Sequence, residues 1–158
     1  MLFILGYWPF NYTEQNNFTI SSEGGAIIQR HGSAFTAASP SKLHGLGEFS
    51  VFLDLSTSSD GQSAFEKIFM SAFNQEEFNF LFGQWMEGFL PIVRTDQQGN
   101  GIKLGIDNAL LQGVRARFLF IHDGKKMRLY QDGAIRNARE AGGSTFDGWS
   151  REYPLLIG

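Results

Sequence analysis

Four features would let this chain act chemically: paired carboxylates in one cleft, a histidine beside a nucleophile, a cluster of aspartates, or an indole free to stack. Histidine occurs only at 31, 44 and 122. His31, His44 and His122 each fall in or beside turn-like stretches, and no G-x-S-x-G elbow accompanies them. His122 next to Asp123 reads as a polar strand end rather than a catalytic pair. H-E-x-x-H, Walker A and dinucleotide glycine patterns are absent. Glycoside hydrolysis needs two carboxylates projected into one cleft. Glu48 and Asp54 stand six apart on one segment, and no pair nearby has the alternate spacing that would do so. Catalysis is therefore not expected, and no catalytic residue is assigned.

Asp60, Asp96, Asp107, Asp123, Asp132 and Asp147 all sit in turn-like stretches. Calcium accepts carboxylates and backbone carbonyls, but turns favour aspartate anyway, and no ligand spacing singles out a site. No cofactor is expected, with calcium the one ion such turns could take. The chemistry left is stacking: an aromatic face against the apolar face of a pyranose, with polar groups fixing the hydroxyls. Trp85, Trp149 and Tyr153 fall in loops or at strand ends, beside Gln84, Asp147, Arg151 and Glu152. Trp85, Trp149, Arg151 and Tyr153 are the candidate ligand-binding residues. The competing reading of each tryptophan is partly buried support for a core.

Composition bounds the elements that must position these groups. With 158 residues, 42% of them hydrophobic and 18% charged, the chain can bury one domain-sized core. Sixteen Phe and 19 Gly against 4 Pro suit many short strands joined by glycine turns. The net charge is −3 and no stripe of Lys or Arg runs along the sequence, which argues against nucleic acid as a partner. Cysteine is absent, so neither a disulfide framework nor a thiolate metal site is available.

Strands are legible along most of the chain. Phe18–Ile20 and Ala26–Ile28 flank Glu23-Gly-Gly25 as a hairpin. Residues 34–41 read as a loop ending at Pro40. In Glu48–Leu55, Phe49, Val51, Leu53 and Leu55 point one way while Glu48, Ser50 and Asp54 point the other, the period-two mark of a half-buried strand. Ala64–Phe73 fits a helical stripe as well as a strand from Lys67. The strands that follow, Phe78–Phe82, Phe89–Arg94 and Ile102–Ile106, favour the strand. Val114–His122 turns at Asp123-Gly124 into Met127–Gln131, Asp132-Gly133 makes another tight turn, and Leu155–Ile157 is a last strand. Phe49, Val51, Leu53, Phe118, Phe120 and Leu129 are the expected core.

Three segments carry a resemblance. Phe118–Gly133, FLFIHDGKKMRLYQDG, resembles the hallmark hairpin of the laminin-G-like family. Gly47-Glu-Phe-Ser-Val-Phe-Leu53 resembles its G-x-F-(S/T) strand, and Leu155-x-Ile157-Gly158 its L-x-I-G strand. Order and spacing agree over residues 18–158. The resemblance implies an all-β, antiparallel two-sheet jelly-roll sandwich of the concanavalin A-like type. Asn79-Phe-Leu-Phe-Gly83-Gln84, Arg94-Thr95 and Pro9-Phe10-Asn11 are similar to a narrower group, the laminin-G-like segments appended to bacterial VanZ-like membrane proteins.

Residues 1–17 then form an apolar N-terminal segment and linker. Met1–Phe10, MLFILGYWPF, is too short to span a bilayer and reads either as an edge strand or as the tail of a membrane helix. The family continues past L-x-I-G with a closing strand. Its place is expected to be taken by chain beyond Gly158, by Met1–Phe10, or by edge-to-edge pairing in a homodimer. The function the resemblance implies is a non-catalytic binding module for glycan or cell-envelope carbohydrate, membrane-associated or extracytoplasmic. The alternative is a protein-interaction or architectural domain with no sugar ligand. The first expects an exposed Trp on a sheet face, and the second a plain face with a hydrophobic seam.

Overall fold

A computed structural model describes residues 18–28, 33–36, 46–57, 62–73, 76–95, 98–142, 146 and 148–158. Met1–Phe10, the 11–17 linker, His31, His44, Asp60, Asp96 and Asp147 lie outside the described residues. Among the described residues there is no helix, and twelve strands are present. They are β1 (Thr19–Ile20), β2 (Ala26–Ile27), β3 (Ala34–Phe35), β4 (Phe49–Ser56), β5 (Gln62–Ala72) and β6 (Phe78–Met86). The rest are β7 (Gly88–Thr95), β8 (Gln98–Lys103), β9 (Arg115–His122), β10 (Lys126–Gln131), β11 (Ala134–Glu140) and β12 (Leu155–Ile157).

The strands form a six-stranded sheet, β3-β12-β5-β6-β7-β8, a four-stranded sheet, β11-β10-β9-β4, and the β1–β2 hairpin. Every paired strand is antiparallel. The two large sheets share one core. Phe80, Phe82, Phe89 and Val93 come from the six-stranded sheet and Phe118, Phe120, Met127 and Leu129 from the other. Phe89 and Phe118 stack across the interior with ring centroids 4.1 Å apart. The expected core set is here: Phe118, Phe120 and Leu129 are buried, and Phe49, Val51 and Leu53 pack against them from β4. The architecture is the expected jelly-roll sandwich.

Two local expectations need correction, and one ambiguity is resolved. Residues 34–41 are not all loop, because Ala34–Phe35 pairs with β12 as a short edge strand. The strand expected at Ile102–Ile106 ends at Lys103, with Ile106 in an isolated bridge to Phe89. Ala64–Phe73 is strand as far as Ala72, in the longer β5 that starts at Gln62 and whose register shifts between Gln62 and Phe65 and between Lys67 and Phe69.

The two lateral seams of the sandwich differ. On one, edge strand β11 is stitched to the β8 side: Asn137 Nδ2 donates to the Gly105 carbonyl at 2.7 Å and Arg139 Nη1 to that of Lys103 at 3.2 Å. On the other, edge strand β4 faces β12 and β5 across an open cavity of about 680 Å³.

Candidate functional site

The four residues singled out by sequence occupy two places. Asn79 is the second residue of the buried run of β6 and ties down the segment that carries Trp149, Arg151 and Tyr153. Its Nδ2 donates to the Ser150 carbonyl at 2.9 Å, and the Ser150 amide donates to its Oδ1 at 2.8 Å. Trp85 lies six residues further along the same strand, a separation of about 20 Å at the rise of an extended chain. Trp85 therefore stands apart from the other three.

Trp149 is half-buried and built into the core. Its ring centroid lies 5.0 Å from Phe146, 5.5 Å from Phe49 and 5.6 Å from Phe80. Its Nε1 donates to the Arg94 carbonyl at 3.1 Å, so the polar end of the indole is already satisfied. One side of the ring lines the open cavity. Arg151 is exposed and Tyr153 half-buried on the same segment.

Trp85 has the opposite character, with 48% of its surface exposed. Its register partners are Phe65 on β5 and Gly88 on β7. Met86 and Glu87 form the two-residue turn between β6 and β7, with Met86 at φ 53°, a left-handed conformation unusual for a side chain of its size. The turn is held from several sides. Gln84 Nε2 donates to the Met86 carbonyl at 2.7 Å, and the Glu87 carbonyl accepts from the amides of Ala109 and Leu110 at 2.8 and 2.7 Å. Trp85 is thus an exposed ring on a stiff hairpin.

Phe65 was not singled out by sequence. A β-carbon placed on Gly83 would run into the Phe65 ring and the Glu66 carbonyl, so the phenyl ring occupies the space that this glycine leaves on the sheet. Gly83 registers with Lys67 on one side and Leu90 on the other. Next along the strands, Met70, Leu81 and Ile92 form a continuous apolar row over the same outward face. The sequence signal was Gly83 itself, since a lone glycine inside a strand marks a close approach by another group.

His122 and Asp123 do not form a catalytic pair. His122 is fully buried, with its ring centroid 5.8 Å from Phe49 and 5.0 Å from Phe146. Its Nδ1 accepts the Gly124 amide at 2.9 Å, which places the neutral ring's proton on Nε2. Burial pushes its pKa down, against the smaller opposing effect of Asp123. The Asp123 carboxylate instead caps the β9–β10 turn. It accepts from the amides of Lys126 at 2.8 Å and Lys125 at 3.1 Å, and from Arg128 Nη1 at 2.7 Å. Those amides, first Lys126 and then Lys125, with Arg128, hold its pKa down at about 2.

Asp132 likewise serves a turn, accepting the Arg117 amide at 3.1 Å. Asp54 accepts from Arg115 Nε at 2.6 Å and lies 3.4 Å from Arg117 Nε. The Arg115 hydrogen bond leads the effects that lower its pKa. Among the described residues no three His, Asp or Glu side chains gather where they could hold a metal ion.

No protein-family model matches the sequence, and no curated protein matches it. Solved structures do match the fold. The CBM40 domain of the Ruminococcus gnavus IT-sialidase, described bound to α2,3-sialyllactose, aligns over 70% of this chain and 63% of its own at 12% identity, with a TM-score of 0.57. Mouse laminin α1 chain domains LG4–5 align over 70% of this chain and 28% of theirs at 16% identity, with a TM-score of 0.52. This chain spans under two thirds of the length of either structure. At such identities the likeness is one of fold: this chain has the lectin-type β-sandwich that carbohydrate-binding and laminin-G domains share.

Proposed function

We propose that this chain is a non-catalytic module that binds a glycan on the outward face of its six-stranded sheet, at the β6–β7 hairpin. The observation that carries this reading is Trp85: a large ring left 48% exposed, on a turn braced by Gln84, Ala109 and Leu110. A solvent-exposed indole on a rigid support is the arrangement pyranose stacking needs, because little conformational freedom is lost on binding. Phe65 extends the apolar surface beside it, and Lys67 registers with Gly83 at its margin. The shared fold with a domain described bound to a sialylated sugar supports the ligand class. Arg151 and Tyr153 belong to a separate position, and Trp149 supports the core there. The resemblance to laminin-G-like segments of VanZ-like membrane proteins supports placing the module at the cell envelope.

Glycan-array binding of the purified chain, followed by titration of any hit, tests the proposal. Trp85→Ala should weaken a hit by about tenfold or more while leaving the melting temperature near that of the parent. Binding unchanged by this substitution, or no glycan bound by the folded chain, would overturn it. The interaction-domain reading has its own supporting observation, the apolar seam along β4.

A further inference from the structure

Given Trp85 as the stacking surface of the proposed function, we infer that its glycan is a neutral one, with a pyranose ring lying between the Trp85 indole and the Asp107 carboxylate over the gap left by Gly88. Asp107 differs from the other described turn aspartates. Asp123 accepts the amides of Lys125 and Lys126, and Asp132 that of Arg117, so both are engaged by their own turns. Asp107 is exposed, and its carboxylate has no hydrogen bond or ion pair among the described residues. Its backbone is nonetheless fixed. Before it, Ile106 and Phe89 exchange two amide–carbonyl bonds of 2.9 Å; after it, the Ala109 and Leu110 amides donate to the Glu87 carbonyl. Those last two bonds also brace the Trp85 hairpin, so indole and carboxylate are held relative to one another.

Register places them a sugar's width apart. Trp85 pairs with Gly88 across the hairpin, and the next residue, Phe89, bridges to Ile106. Phe89 and Ile106 both belong to the core, so Gly88 faces outward with Trp85. The chain at Asp107 comes up beside it: a β-carbon placed on Gly88 would lie 3.7 Å from Asp107 Cα and 3.1 Å from the Ile106 carbonyl. Two strand spacings, about 10 Å, thus separate the Cα atoms of Trp85 and Asp107. The residue between them has no side chain.

The two walls offer complementary chemistry. The indole takes the apolar face of the ring, and the Asp107 oxygens, which only accept, take hydroxyls on adjacent carbons. Charge then selects among sugars. Glu87, on the turn itself, is exposed and has no ion pair among the described residues. Lys67 registers with Gly83, one row further along the sheet. A uronate or sialic acid beside Trp85 would meet two carboxylates against one amine, and like charges brought together cost affinity.

The test titrates matched sugars into the whole chain by calorimetry: cellotriose, mannotriose and galactotriose, each against the form with its primary alcohols oxidised to carboxylates, and lactose against sialyllactose. At least one neutral sugar should bind, and its acidic partner at least about tenfold more weakly. Asp107→Ala should weaken the neutral ligand by about tenfold or more. Removing both charges, with Glu87→Gln and Asp107→Asn together, should narrow its lead over the acidic partner. Each variant is compared at a temperature where it is folded. An acidic sugar that binds as well as its neutral partner, with both lost in Trp85→Ala, overturns the inference and leaves the Trp85 reading standing. So does a neutral ligand lost in Trp85→Ala but unmoved by Asp107→Ala, or a lead that survives removal of both charges. No binding of any sugar, or binding indifferent to Trp85→Ala, overturns the Trp85 reading and this inference with it.

Discussion

The side chain of Asn79 and the backbone of Ser150 hold each other through two reciprocal hydrogen bonds, at 2.9 and 2.8 Å, across 71 residues of sequence. The asparagine is 5% exposed on β6, so its amide has little water to fall back on. It also donates to Ser71 Oγ at 3.2 Å, which links β5, β6 and the 149–153 segment at one point. That segment delivers Trp149 to Phe49 and Phe80, and just beyond it β12 pairs with β5.

Asn79→Ala removes the side chain that satisfies both backbone groups of Ser150. The expected loss of stability is about 1–3 kcal/mol, the cost of leaving buried polar groups unpaired. Asn79→Asp should also destabilise, because a carboxylate cannot donate to the Ser150 carbonyl. Urea denaturation followed by tryptophan emission measures both. A midpoint unchanged in either variant would show that the bridge contributes nothing.

Stability should fall as the solution is acidified below about pH 6.5, and His122 is the reason. Its folded pKa is depressed by burial from the ordinary 6.5, so the unfolded chain takes up a proton at a pH where the folded chain still does not. Stability therefore rises with pH through this window and is fully present above 6.5. Asp123 acts in a separate, lower window. Its folded pKa of about 2 lies below the ordinary 3.8 of an aspartate, so its contribution is lost only as pH falls through that interval. Urea midpoints at pH 7 and pH 5 should differ more for the parent than for His122→Gln, which keeps an acceptor for the Gly124 amide but does not titrate. Equal pH dependence in the two proteins would remove His122 from this account.

How much of this was legible in sequence depends on where each element's burial comes from. β4 was plain because its alternation in sequence is its alternation in exposure: Phe49, Val51, Leu53 and Leu55 inward, Ser50, Phe52, Asp54 and Ser56 outward. β5 was ambiguous for a physical reason. Its register shifts place Phe65, Ile68 and Phe69 at spacings that imitate a helix, although the strand simply bulges. β11, Ala134–Glu140, gave no hydrophobic signal, since it is an exposed edge strand held by β10 and by the bonds of Asn137 and Arg139. β3 exists only because β12 pairs with it, Phe35 with Leu156 and Ala34 with Ile157 from the far end of the sequence.

The candidate site was half legible for the same reason. The place of Trp85 at a strand end was visible but its exposure was not, and the rings that bury Trp149 come from β4, β6 and Phe146 and converge only in the folded chain. The seam likewise belongs to topology: nothing in Phe49–Ser56 itself says that β9 is its one strand partner among the described residues.

Gly83 sets the shape of the proposed binding face, and its substitution separates that face from the fold. It lies mid-strand in β6, opposite Lys67 and Leu90, with the Phe65 ring over its Cα. Alanine there would meet both the ring and the Glu66 carbonyl. The ring can swing aside, but the carbonyl is backbone and can move only with β5. Gly83→Ala should therefore cost about 1–3 kcal/mol as an overpacked site. Adding Phe65→Ala should restore only part of that loss, because the carbonyl clash persists. On the proposed function, the double variant should also bind its glycan more weakly than the parent, since Phe65 no longer extends the surface beside Trp85. Differential scanning calorimetry of the parent and both variants, with glycan titration at a temperature where all are folded, measures the two effects separately. Full recovery of stability in the double variant would show that the ring alone, not the close approach of β5, makes glycine necessary at this position.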